Sequence, residues 1–127
     1  AVLAVTLIVF AVFYAITVEG KKEGELAKRA KEEYGKADYN ASAKRYEELV
    51  KEYPGSKSID EYKFFADLSS MQTTVRSVTS RDDYAPAVAR LRSFIDTHKD
   101  SPLAKPASGY GRDVLEAGKK LGEDIVG

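Results

Sequence analysis

The sequence predicts an all-α protein: one N-terminal transmembrane helix, then a stack of helical hairpins closed by a C-terminal capping helix. Three observations predict it. Residues 1–18 are an uncharged apolar run. Beyond them, apolar residues recur at spacings of 3 and 4 in five segments, and no segment alternates as a strand would. Two of those segments align without a gap, 45 residues apart.

The first element is AVLAVTLIVFAVFYAITV, residues 1–18. As a helix it covers roughly 27 Å, close to the hydrocarbon thickness of a bilayer. In lipid only a helix satisfies the backbone groups of one isolated segment. A secretory signal would have a shorter apolar stretch and a small-residue cleavage site. Ile16-Thr17-Val18-Glu19 is a poor one, so the expectation is an uncleaved anchor. Ala4, Ala11 and Ala15 form a small-residue face for packing on neighbouring transmembrane helices. Tyr14 suits the headgroup level. The chain opens inside the apolar run with neither Met nor a basic flank, so further residues are expected upstream.

Residues 19–23 read as a juxtamembrane linker, and 24–127 as the helical domain. A helix over 23–36 carries Leu26, Ala30 and Tyr34 on one face, with Ala27 beside them and Gly35 near its end. A second, over 39–53, carries Tyr39, Ala43, Tyr46, Leu49, Val50 and Tyr53; Asp38 is its N-cap and Pro54-Gly55 its stop. A third, over 58–79, carries Ile59, Tyr62, Phe65, Leu68, Met71, Val75 and Val78, with Phe64 beside that stripe. Ser58 and Glu61 are spaced as a capping box. TSRDD (79–83) interrupts the pattern. A fourth helix is expected over 84–98, with Pro86 in its first turn. Its face is Val88, Leu91, Phe94, Ile95 and His98. KDSPLAKP (99–106) is a turn. The capping helix, about 107–125, carries Tyr110, Val114, Leu115, Leu121 and Ile125, weakened by Gly118 and Gly122.

The alignment pairs DYNASAKRYEELVKEYPGS with DYAPAVARLRSFIDTHKDS. It sets Asp38 on Asp83, Tyr39 on Tyr84, Ala43 on Val88, Tyr46 on Leu91, Leu49 on Phe94 and Val50 on Ile95. Each copy follows another helix across a short turn. The units are therefore about 24–56 and 57–102. A single hairpin cannot bury its apolar face, whereas stacked hairpins can.

KADYNASAKRYEELVKEYPGS resembles the second helix of a tetratricopeptide repeat. Asp38-Tyr39, Ser42, Tyr46, Leu49-Val50 and Pro54 hold the places of that pattern. Asp83-Tyr84, Ala87, Leu91 and Phe94-Ile95 do so in the second copy. The resemblance covers about residues 24–102. It departs from the family in its 45-residue offset and in lacking the Trp-Leu-Gly part of the first helix. An anchor followed by such repeats is similar to bacterial membrane-tethered proteins of this family, among them an ancillary subunit of the Sec translocon. The resemblance implies a single-pass inner-membrane protein with its repeats in the periplasm. Lys21, Lys22, Lys28, Arg29, Lys31 and Lys36 follow the anchor and favour the cytoplasm instead. Orientation stays open on the sequence.

Composition narrows the function. The 20 basic and 20 acidic residues cancel, and a nucleic-acid binder needs a net positive face. With no Cys and one His, a thiolate metal site and a Cys nucleophile are absent. His98 reads as a packing residue in the place of Tyr53. Glu32-Glu33, Glu47-Glu48 and Asp82-Asp83 are neighbours on polar helix faces, pointing in different directions. Ser108-Gly109-Tyr110-Gly111 lacks the strand and third Gly of a dinucleotide loop, and reads as a helix start.

The expected function is non-enzymatic. It is that of a membrane-tethered scaffold, an accessory subunit of a larger membrane complex. Other protein subunits are its partners, residues 1–18 meet the bilayer, and no cofactor is implied. A transient chaperone-like tether at a translocon, or the anchoring module of a longer enzyme chain, are the alternatives. The residues expected to make partner contact are Tyr34, Tyr39, Lys63, Phe64 and Asp67. Phe64 has a second reading, as a core residue that widens the third helix's stripe.

Overall fold

A computed structural model describes residues 20–105 and 108–122. The anchor expected over 1–18, with Ala4, Ala11 and Ala15, lies outside the described residues. Among the described residues, no helix is long and apolar enough to cross a membrane.

The described chain is all helical. α1 spans 20–35, α2 Tyr39–Glu52, α3 Ile59–Arg76, α4 Arg81–His98 and α5 Gly109–Lys120. A single 3₁₀ turn, Pro102–Ala104, interrupts the α4–α5 connection. Residues 20–23, expected as linker, already belong to α1. Glu23 is structural there: its carboxylate accepts from the hydroxyls of Tyr62 (2.8 Å) and Ser56 (3.0 Å).

α3 is the central helix. Tyr62, Phe64, Phe65, Ala66, Leu68, Ser69, Met71, Gln72 and Val75 are all buried. Such a spread cannot come from one stripe; α3 is covered on several sides, by α2, α4 and α5. Phe65 stacks on Tyr46 of α2, with ring centroids 5.1 Å apart. Phe64 packs against Phe94 and His98 of α4. Ser42 and Ser69 meet at 3.0 Å in the core, and Ser42 also donates to the Ala30 carbonyl. Small side chains there let α1, α2 and α3 approach closely, and every buried side-chain polar atom described has a partner.

The burial of α2 and α4 matches at the 45-residue offset. Ser42 and Ala87, Tyr46 and Leu91, and Leu49 and Phe94 are buried pairs. Val50 and Ile95, and Tyr53 and His98, are half-buried pairs. Tyr39 and Tyr84 diverge: Tyr39 is half-buried, while Tyr84 is exposed.

Two features differ from expectation, each for a local reason. α4 starts at Arg81, not at 84, because Ser80 and Asp83 form a reciprocal capping box. The segment TSRDD thereby starts the helix instead of breaking it. Pro86 consequently lies inside α4, where it removes one ladder hydrogen bond on an exposed face. The capping box expected at Ser58 and Glu61 does not form. Ser58 has φ −99° and ψ 14° and makes no side-chain cap; Ser56 Oγ accepts from the Ser58 N–H instead (3.1 Å).

Gly111 is buried where α5 crosses the preceding turn. An added Cβ would stand 2.0 Å from the Lys105 carbonyl oxygen. Ser108, the N-cap of α5, accepts from the Gly111 N–H (2.9 Å) and donates to the Leu103 carbonyl (2.6 Å).

Candidate partner-binding groove

α1, α3 and α5 run in the same direction. Glu23 meets Tyr62 and Ala30 lies beside Ser69 through Ser42, so α1 parallels α3. Tyr110 packs on Phe65 (4.7 Å), while Ala117 and Lys120 reach the level of Gln72, Val75 and Arg76. α5 therefore parallels α3 as well. α1 and α5 consequently flank one side of α3.

Between them lies a groove of about 460 Å³, lined by Lys31, Tyr34, Gly35, Tyr46, Phe65, Gly109, Tyr110 and Asp113. Its floor is aromatic. The rings of Tyr34 and Tyr110 lie 6.0 Å apart edge-on, and both contact Phe65. Edge-to-face contacts of this kind hold an aromatic surface in one arrangement. The Tyr34 hydroxyl donates to Asp113 Oδ2 at 2.7 Å, tying α1 to α5. Burial, reinforced by the Asp113 carboxylate, holds the Tyr34 phenol protonated far above the usual tyrosine range. Burial does the same for Tyr46. The groove is thus lined by neutral phenols, with one cation and one carboxylate on its rim. The space beside the Cα atoms of Gly35 and Gly109 is empty to 4 Å.

A smaller cleft, about 240 Å³, continues towards the ends of α3 and α5. Tyr39, Gln72, Val75, Arg76, Asp113, Glu116, Ala117 and Lys120 line it. The Arg76 guanidinium lies 4.8 Å from the centre of the Tyr39 ring.

The five residues expected to meet a partner do not share a surface. Tyr34 and Tyr39 belong to the α1–α5 side. Lys63 and Asp67 face away from it, in a cleft shared with Glu47, Val50, Ala66, Thr97 and His98. There Asp67 is engaged by His98 Nε2 at 2.7 Å and by Arg90 at 3.8 Å. Phe64 is corrected outright as a contact residue. It is 1 % exposed, because α4 covers the flank of α3 on which it stands. Tyr34 is also buried, its ring filling the floor and its hydroxyl already satisfied.

Tyr110, Phe65 and Asp113 were not singled out by sequence as surface-forming. Tyr110 and Phe65 sit on apolar stripes and read as core. Asp113 carries no local signal; its role exists only because α5 lies next to α1. His98 packs on Phe64 and Phe94. Among the described residues, no group of three or more His, Cys, Asp or Glu is placed to hold a metal ion. No family model matches this chain, and neither a curated protein nor a solved structure matches it.

Proposed function

We propose that the protein is a non-enzymatic, membrane-tethered scaffold: an accessory subunit of a larger membrane complex that seats a partner chain in the α1–α5 groove. One observation carries the reading. Between α1 and α5 the half-buried Tyr110 ring adjoins the buried rings of Tyr34, Tyr46 and Phe65, and two exposed glycines line the groove beside it. Aromatic surfaces held rigid are the usual anchors of protein–protein contacts. The apolar run 1–18 would hold that groove beside a bilayer, with the helical domain on the periplasmic side as the resemblance implies.

Gly35 and Gly109 allow a clean test. Gly35→Gln with Gly109→Gln fills the groove mouth without touching the core, and Gln is a better helix former than Gly by up to about 1 kcal/mol. The wild-type chain, purified from native membranes in mild detergent, is expected to co-migrate with its partner subunits in fixed ratio. The double variant is expected to keep its helical circular dichroism and lose them. Sub-stoichiometric, salt-labile association of the wild type would favour the transient translocon tether. A native polypeptide much heavier than these residues would favour the anchoring module.

A further inference from the structure

One exposed amide beside the α1–α2 turn has no part in holding the fold. Asn40 is the one asparagine in the 127 residues, and it stands in Asn40-Ala41-Ser42, an acceptor triad for N-linked glycan transfer. Asp38 stands two places ahead, a carboxylate within reach of a transferase that reads an acidic residue on the N-terminal side. The bland reading makes Asn40 a helix-start residue, since asparagine favours N-caps and left-handed turns. Both posts are held by other residues. Asp38 is the N-cap of α2 and accepts from the Ala41 N–H (3.4 Å). Ala37 takes the positive φ. Asn40 lies inside the first turn of α2, where asparagine is a poor helix former. It is exposed and makes no side-chain hydrogen bond to another described residue. Ser42 has a packing role, donating to the Ala30 carbonyl and meeting Ser69; Asn40 has none.

We propose that Asn40 is an N-glycosylation site whose donor is a lipid-diphosphate-linked oligosaccharide. In the transfer, Asn40 Nδ2 bonds to the sugar C1 and the C1–O bond to the diphosphate breaks. The lipid diphosphate leaves, one amide proton passes to a base of the transferase, and nothing is oxidised or reduced. Ser42 sets the timing. The transferase must reach its hydroxyl, yet in the fold Ser42 is fully buried. Transfer therefore precedes the packing of α2 on α1 and α3, while the chain is crossing the membrane. The folded domain keeps the glycan outside, because Asn40 is exposed. α1 runs from 20 to 35, roughly 24 Å, so the glycan crowns the end of the α1–α2 hairpin remote from residues 1–18. In one respect the inference rests on the proposed function: the helical domain lies on the side to which chains are translocated.

Mass spectrometry of the full chain from its native membranes tests the site. The tryptic peptide 37–44, ADYNASAK, is expected to carry an oligosaccharide on Asn40. Asn40→Gln is expected to lose that mass, and Ala41→Pro, which breaks the triad, to lose it with Asn40 still present. Ser42→Thr keeps the hydroxyl and is expected to keep the glycan. A sugar found on Tyr39 or Ser42, or one that persists in Asn40→Gln, overturns the inference. The chain has no cysteine, so Ala89→Cys, at an exposed position on α4, reports the side of the membrane through a membrane-impermeant maleimide. An unmodified peptide from chains labelled before lysis overturns the glycan and leaves the topology standing. Labelling only after lysis strikes the periplasmic reading and overturns the glycan with it.

Discussion

Ala37 carries the one positive φ, 61°, among the described non-glycine residues. It occupies the left-handed position after α1. The Asp38 N–H reaches the Glu33 carbonyl (2.9 Å) and the Ala37 N–H reaches Tyr34 (3.0 Å), the paired bonds of a Schellman cap. Glycine is the residue this place favours, yet the nearest glycine of α1 is Gly35, two positions too early and within the helix. Ala37→Gly is therefore expected to stabilise the domain by about 0.5–1 kcal/mol, read as a higher urea midpoint. Gly111 is the opposite case. Gly111→Ala drives a methyl into the Lys105 carbonyl, backbone against backbone, and is expected to cost about 2–3 kcal/mol. Gly109→Ala, two residues away in open space, is expected to cost nothing. Urea unfolding of the three variants side by side decides it. Neither glycine could be told from the other in the sequence, because the difference lies in what the 3₁₀ turn brings against α5.

α4 owes its start to Asp83. The backbone N–H of Thr79, then the hydroxyls of Ser80 and Thr79, hold the Asp83 carboxyl below its ordinary pKa. Its folded pKa lies under its unfolded value, so its contribution is present above about pH 4 and is lost as pH falls through the depressed value. The first turn of α4 is expected to fray over that window, seen as loss of helical Cα shifts at Arg81–Tyr84 by NMR. Asp83→Asn is expected to remove the pH dependence and leave the turn frayed at neutral pH. The same residue explains what the sequence showed of this helix and what it hid. The buried face of α4 was legible, since Ala87, Leu91 and Phe94 repeat Ser42, Tyr46 and Leu49 at one offset. The start was not, because aligning Asp83 with Asp38 assigns both one role. Asp38 is an N-cap that accepts from the Ala41 N–H; Asp83 sits three residues inside a helix capped by Ser80. Polar residues that break an apolar stripe are also the residues that begin helices.

The five helices were readable because each has a stripe at helical spacing and a stop at Pro, Gly or a polar turn. The site was less so. An apolar stripe shows that a residue is covered, not by what, and α3 is covered nearly all round. Phe64 beside the stripe therefore read as either core or contact, and α4 makes it core. The groove depends on α5 lying alongside α1, a contact 79 residues apart in sequence between Tyr34 and Asp113 that no local pattern encodes. The most direct test of the scaffold reading is site-specific photocross-linking of the full chain in its native membrane. The probe is placed at Gly109 in the groove and, as control, at exposed Ala89 on α4. A discrete protein-sized adduct from Gly109, absent from Ala89 and abolished by Gly35→Gln, is the predicted result. Equal labelling from both positions, or none from Gly109, would contradict it.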